Sequence, residues 1–158
     1  MVHGGSEVMM VTMRNTGLYE RDFYAWANQQ SALLRSGRVA EADLANIAEE
    51  IESMGRSEKR ELANRLAVLL AHLLKWQYQP GRRGASWRLT IEEQRQRLAA
   101  HLSDNPSLKA ALPESIAAAR QTGRARADFP ADCPWGFEQI VDDGFWPEQP
   151  VSRQVVED

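Results

Sequence analysis

The sequence has very little cysteine, since Cys133 is the single thiol among 158 residues. One thiol cannot form a disulfide within the chain, and a reducing compartment suits such a composition. Cys133 also follows Asp132 directly, and a neighbouring negative charge disfavours the thiolate that a nucleophilic cysteine needs. We therefore expect a cytoplasmic protein in which Cys133 is a small loop residue rather than a catalytic one.

Long apolar runs and an excess of positive charge are also missing. No stretch approaches the roughly 20 apolar residues of a membrane span, and VMMVTM is too short for a signal peptide. The formal net charge is -3 and the isoelectric point is about 5.7, which argues against a dedicated nucleic-acid binder. The absence of a membrane span and of a signal peptide predicts no contact with a membrane.

The common catalytic signatures do not occur. There is no Gly-x-Ser-x-Gly, phosphate-binding loop or dinucleotide fingerprint, and no Glu-x-x-His step of the kind that builds metal sites in helical bundles. Period-two alternation is nearly absent as well, so the pattern favours helices over strands.

Helical periodicity predicts two helices in the first third of the chain. The first begins after Asp22 as N-cap and ends before Gly37, and the second runs from about Glu41 to Met54. Gly55 predicts a kink or short break at residues 55 to 57, with one long bent helix as the alternative. Their apolar stripes are Phe23, Trp26, Ala27, Gln30, Leu33 and Leu34, then Leu44, Ile47, Ala48, Ile51 and Met54.

The most hydrophobic segment, residues 57 to 79, predicts the central helix of the fold. Its stripe includes Leu66, Leu69 and Leu73, and Trp76 and Trp87 are expected to close the core at the turn that follows. A helix capped by Ser86 comes next, or one that starts later with a capping box from Thr90 and Glu93. Another runs over about 106 to 127, where Pro113 should kink it or separate its first turn, and a short helix lies near 135 to 141.

These elements predict an all-α fold, a four-to-five-helix bundle that is mostly antiparallel, with an irregular C-terminal tail. Residues 1–17 are expected to form a flexible N-terminal arm and residues 18–128 the helical bundle. Residues 129–158 are rich in proline, aromatic and acidic residues, and we expect this tail to pack on the bundle.

A basic, aromatic turn offers one candidate site. Residues 75 to 97 hold six cationic side chains against two glutamates, and Lys75, Arg82, Arg83 and Arg88 are candidates for contact with a polyanion. Residues 128 to 158 hold eight acidic side chains against one arginine. The favoured interpretation is that this tail neutralises the turn, with Phe145 and Trp146 as apolar anchors.

A metal site from His72, His101 and Glu52 is the sharpest enzymatic hypothesis. In an antiparallel hairpin that turns near residues 82 and 83, however, His101 lies level with Asn64 or Arg65. The two imidazoles are then roughly 12 Å apart along the axis, too far to share an ion within one subunit. Ordinary hydrogen-bonded histidines are the favoured interpretation.

Several motifs together resemble a bacterial family of uncharacterised proteins, domain of unknown function 29. They are LYERDFYAWA, IAEEIESMGRSEKREL, HLLKWQYQP and SW, followed by FP, CP and FWP near the end, within residues 18 to 148. The resemblance implies an all-helical, bundle-like fold. It implies no activity, so no catalytic residue and no cofactor can be carried over.

The sequence thus favours a non-enzymatic interaction or regulatory protein without a cofactor. Its partner would be another protein or a second copy, with a homodimer formed through the first two helices. One alternative is binding of nucleic acid or another polyanion through residues 75–88. The other is a metal-dependent enzyme whose site forms only across a dimer interface.

Overall fold

The computed structural model of the chain describes residues 17–125 and 135–148, and all of their regular structure is helical. From residue 23 onward, the described α-helices are α1 (Phe23–Arg35), α2 (Leu44–Tyr78), α3 (Ala85–Asp104), α4 (Leu112–Ala125) and α5 (Phe137–Val141). Short 3-10 helices cover Val39–Glu41, Pro80–Arg82 and Pro106–Ala111. The predicted all-α fold is confirmed. Among the described helices, none combines the length and the hydropathy that crossing a bilayer requires.

Helix α2 is continuous from Leu44 to Tyr78. The predicted break at residues 55 to 57 is therefore wrong, and the alternative of one long helix is correct. Gly55 costs about 1 kcal/mol relative to alanine, which a helix of 35 residues tolerates. The chain forms two compact units with their boundary after Arg56, and each is described by itself below.

The first unit holds α1 and the first turns of α2. Asp22 caps α1 through a 3.0 Å bond from the Ala25 amide, and Gly37 ends it with a φ of +74°, as predicted. Helix α2 begins later than expected because the Asp43 side chain, which precedes the helix, bonds to Asn46 in its first turn. The Asp43 carboxylate accepts bonds from the Asn46 amide at 3.4 Å and from the Asn46 side chain at 2.7 Å.

Buried hydrogen bonds tie Asp43 to α1. The indole of Trp26 donates to the Asp43 carboxylate at 3.2 Å, and the Asp43 amide donates to the Gln30 side chain at 2.7 Å. Burial of polar groups is tolerated when they are bonded in this way. These bonds fix the angle at which α2 leaves α1 within this unit.

The second unit contains a hydrophobic core of α2, α3, α4 and α5. Leu66, Leu69 and Leu73 are fully buried in it, which confirms the predicted stripe. Trp76 packs against the core while partly buried, and Trp87 is also partly buried. From α3, α4 and α5 the core receives Ile91, Leu98, Leu102, Ile116, Ala119 and Ile140.

The register between α2 and α3 differs from the prediction. The His101 imidazole lies against Glu58, with Nε2 3.0 Å from the Glu58 carbonyl oxygen, six residues before Asn64. The chain already turns back over residues 79 to 84, where Arg83 bonds the Trp76 carbonyl at 2.6 Å. Helix α3 therefore starts beside the last turn of α2 instead of beyond it.

Two helix starts test the capping predictions. Helix α3 begins at Ala85 with Gly84 as N-cap, so the caps predicted at Ser86 and Thr90 are wrong. Asn105 and Pro106 open a 3-10 helix, and α4 follows from Leu112 with Pro113 in its first turn. Pro113 thus separates the first turn as expected, because its ring is tolerated only where no amide donor is needed.

The predicted arm and tail fall largely outside the described residues. Of residues 1–17 only Gly17 is described, and it belongs to a helical segment that reaches residue 21. Of residues 129–158, the described part is α5 with its irregular continuation to residue 148. Cys133 also lies outside the described residues.

Candidate functional site

An apolar groove opens between α1 and the first turns of α2. It has a volume of about 790 Å³, and its apolar lining is Phe23, Trp26, Leu34, Ile47, Ile51 and Met54. Phe23 is 50% exposed, Leu34 41%, Ile51 64% and Met54 68%. Within the described residues, the stripes of the first two helices thus lie on one shared face with large exposed side chains.

Aromatic side chains pack around Trp26, which lines this groove. Tyr19 and Phe23 both pack on the buried Trp26, with ring centroids 4.8 Å and 5.4 Å away. The Tyr19 hydroxyl donates to the Glu50 carboxylate on α2. This bond, partial burial and the negative charge of Glu50 raise the pKa of Tyr19 above its usual value.

Charges around the groove are of both signs. Arg35 and Glu50 belong to its lining, and Arg56 pairs with Glu49 at 2.8 Å and with Glu52 at 3.6 Å. Glu52, a predicted metal ligand, is therefore one member of an exposed ion-pair network. A face with balanced charge neither attracts nor repels a partner strongly over long range.

The four predicted polyanion contacts surround the turn after α2, but three of them already contact aromatic rings. Lys75 lies over Trp87 at 5.9 Å and Arg83 over Trp76 at 5.3 Å. Arg88 lies 5.3 Å from the Trp146 ring and pairs with Glu92 at 3.2 Å. Arg82 is exposed. Because cations cover these faces, the indoles offer little surface on which a nucleobase could stack.

The C-terminal segment meets this turn through Trp146. Its ring lies 4.8 Å from the Trp76 ring, and both anchors expected from the sequence make contacts, since Phe145 packs on Trp135 at 5.5 Å. Among the described residues, no ion pair joins the acidic side chains of residues 135 to 148 to the basic turn. The described contacts of this segment with the turn are aromatic and cation–π contacts. The expected charge neutralisation stays a prediction, since Asp128, Asp132, Glu157 and Asp158 lie outside the described residues.

Arg95 makes the strongest attachment of that segment. It is buried, and it donates to the carbonyl oxygens of Ile140 at 3.0 Å and Phe145 at 2.7 Å, with the Asp143 carbonyl at 3.5 Å. Sequence reasoning counted Arg95 among surface cations. Its spacing from Ile91 and Leu98 on the inward stripe of α3 was the signal that could have identified it.

The two histidines lie far apart, although the register between α2 and α3 that separates them is not the predicted one. His72 bonds the Val68 carbonyl through Nδ1 at 2.8 Å. Fourteen residues of α2 separate it from Glu58, the neighbour of His101, and this is about 21 Å along the axis. His72 and His101 are thus too far apart to bind one ion within a subunit, as expected from the sequence.

One group of potential metal ligands does form among the described residues. It consists of Glu58, Glu61 and His101, whose ligand atoms all lie within 4.8 Å of one another. Sequence reasoning missed Glu58 and Glu61 because the expected register placed His101 near Asn64. The signal available was their i,i+3 spacing on one face of α2.

A comparison with protein-family models matches residues 18–146 to the family described as domain of unknown function DUF29. The chain belongs to the DUF29 family. The match confirms the resemblance drawn from the motifs and covers both compact units of this DUF29 protein. No curated protein and no solved structure matches the chain.

Membership of DUF29 assigns no reaction and no site residues. The function of this DUF29 protein has to be argued from its own surfaces. Two of them stand out among the described residues: the apolar groove of the first unit and the His–Glu group of the second.

Proposed function

We propose that this DUF29 protein is a non-enzymatic interaction module that forms a homodimer through the groove between α1 and the first turns of α2. The observation that carries the proposal is the exposure of Phe23, Leu34, Ile51 and Met54, which line one groove and range from 41% to 68% exposed. Contiguous apolar surface of this kind is typical of protein interaction sites.

The small core of the first unit supports the proposal. In residues 17–56 the buried hydrophobic side chain is Trp26, whereas the described part of the second unit buries fifteen. A two-helix unit of this size falls near the limit below which chains need an oligomer, a metal or disulfides. A second copy would add two more helices and so complete a four-helix arrangement.

A second copy is the occupant that fits the groove best. In a twofold dimer each copy offers the same face, so apolar residues meet apolar residues without a separate partner surface. The lining holds one cation and one carboxylate, Arg35 and Glu50, so two identical faces do not repel each other. An apolar face with balanced charge does not suit nucleic acid, whose affinity comes from phosphate contacts.

The energy of association can be bounded from the same residues. Burying a large apolar side chain contributes about 1.5–3 kcal/mol, or about 1 kcal/mol for one that is already half covered. Four such residues on each copy give about 8 kcal/mol in the dimer before the cost of association. After a cost of at least about 4 kcal/mol, about 4 kcal/mol is left. We therefore expect a weak dimer with a dissociation constant of about 1 mM.

Sedimentation of the full chain between about 20 µM and 1 mM tests the proposal. We expect a dimer that Ile51→Lys dissociates, because a charge in the interface core lacks a partner there. Leu89→Lys is the matched control, since Leu89 is also 64% exposed but lies on α3 in the other unit. A monomer at every concentration, or equal weakening by both substitutions, would refute the dimer.

We also propose a cytoplasmic location for this protein. The single cysteine supports it, since chains made for oxidising compartments commonly carry disulfides. Fractionation of the native cell with an antibody to the chain tests this location, and recovery in the extracytoplasmic fraction would contradict it.

A further inference from the structure

We propose that Glu58, Glu61 and His101 form a binding site for a divalent transition-metal ion, with Zn²⁺ as the best-fitting ion. The site lies within the second unit, where α3 crosses the α2 turn that begins near Ser57. It is independent of the groove and of dimer formation. One imidazole nitrogen and two carboxylate oxygens would leave at least one coordination position to water.

The state of the His101 imidazole is the first argument. Its Nε2 lies 3.0 Å from the Glu58 carbonyl oxygen, which can only accept a hydrogen bond. The proton of a neutral ring is therefore on Nε2, and Nδ1 carries the lone pair. Metal-binding histidines are commonly oriented by this type of bond from the other ring nitrogen to a carbonyl.

The surroundings of Nδ1 are the second argument. The His101 side chain is only 9% exposed, and Nδ1 points at the Glu58 carboxylate from 3.6 Å. That separation is too long for a hydrogen bond, yet in a neutral ring it leaves the unprotonated Nδ1 close to a carboxylate oxygen. A cation between them removes the repulsion of these two acceptors. Two ligands that are each about 2.1 Å from one ion lie roughly 3–4 Å apart.

In each glutamate a carboxylate oxygen can bind an ion, and a neighbouring side chain contacts the carboxylate. Arg65 binds Glu61 through Oε1 alone, from Nε at 2.9 Å and also from Nη2, so Oε2 remains for an ion. Asn105 donates to Glu58 at 3.5 Å. Outer bonds of this kind commonly hold the ligands of a metal site.

The ligand atoms spread over as much as 4.8 Å, so binding requires the glutamates to close by about 1 Å around an ion with bonds near 2.1 Å. The Glu58 side chain is 47% exposed and can make this movement. An imidazole ligand favours zinc and similar metals over Mg²⁺ and Ca²⁺, which prefer oxygen donors.

Zn²⁺ titration of the full, tag-free chain against a chromophoric chelator tests the site. We expect one ion per chain, and at least tenfold weaker binding in Glu58→Gln and in His101→Gln. Glutamine at 101 removes the Nδ1 ligand while its amide can still donate to the Glu58 carbonyl. Since Glu58 is half exposed, its substitution leaves the fold intact, and circular dichroism verifies this for both variants.

His72→Gln is the matched control, because His72 lies on the same bundle but uses Nδ1 for the Val68 carbonyl. It should bind Zn²⁺ as tightly as the native chain, and so should Cys133→Ser, which excludes the thiol as ligand. Absence of binding, native affinity in Glu58→Gln, or equal losses in His72→Gln would overturn the site. Mg²⁺ should not compete at a hundredfold excess, and effective competition would also contradict the proposed donor set.

Discussion

Arg95 allows the sharpest prediction about stability, because one side chain makes several hydrogen bonds to α5 and the segment after it. Its bonds to Ile140 and Phe145 are 3.0 Å and 2.7 Å long, and hydrogen bonds from a charged donor contribute about 1.5–3 kcal/mol each. Burial opposes this gain and lowers the pKa of Arg95. After that cost we expect Arg95→Met to lower the free energy of unfolding by about 3 kcal/mol.

Arg97→Met is the control two residues further along the same helix. Arg97 is exposed and pairs with Glu93 at 2.6 Å, and exposed pairs contribute about 0–1 kcal/mol. Arg95→Lys should recover little of the loss, because an ammonium group cannot reach both carbonyls as the planar guanidinium does. The comparison separates the geometry of the contact from its charge.

Urea unfolding of the full chain measures these differences. With a slope of about 2 kcal/mol per molar urea, Arg95→Met should unfold at about 1.5 M less urea than the native chain. Tryptophan fluorescence should report the loss, since the Trp146 ring contacts the Trp76 ring with a centroid distance of 4.8 Å. Equal midpoints for Arg95→Met and Arg97→Met would refute the role assigned to Arg95.

Two further predictions concern backbone and pH. Gly55→Ala should raise the free energy of unfolding by about 0.5–1 kcal/mol, since a Cβ at Gly55 meets nothing within 4 Å. Gly37→Ala should lower the free energy of unfolding, because φ at Gly37 is +74°. Thermal unfolding measures both changes, and equal shifts of the two variants would contradict the reasoning. Burial lowers the pKa of His72 below its usual 6.5, so the unfolded chain takes up this proton first and stability should fall as pH drops through 6.5 toward the lower folded pKa. Urea unfolding at pH 7.5 and 5.5 should show a smaller loss in His72→Gln, and an unchanged loss would exclude this origin.

The helices themselves were predictable from local signals. Asp22 and Gly37 bound α1 as capping rules expect, and Leu66, Leu69 and Leu73 occupy the core because a broad apolar stripe leaves no other place for them. The break predicted at Gly55 was wrong because the cost of one glycine is small compared with the contribution of the many hydrogen bonds of a long helix. Local propensity could not decide that balance.

The candidate sites were harder to predict because they depend on register. The turn geometry at residues 79 to 84 sets which α2 residues face His101, and a shift of six residues exchanged Asn64 for Glu58. The apolar stripes of the first two helices were predicted from periodicity. Periodicity does not show, however, whether a stripe is buried within the chain or exposed and able to bind a partner. Exposure of Ile51 and Met54 supplied that distinction.

The contacts of Arg95 are made to carbonyl oxygens, which every residue of every protein possesses. Replacement of the side chains at 142 to 144 therefore leaves these backbone acceptors in place. A deletion in this stretch is different, because it would move the acceptors out of reach. In this part of the chain, spacing is constrained more tightly than chemical identity.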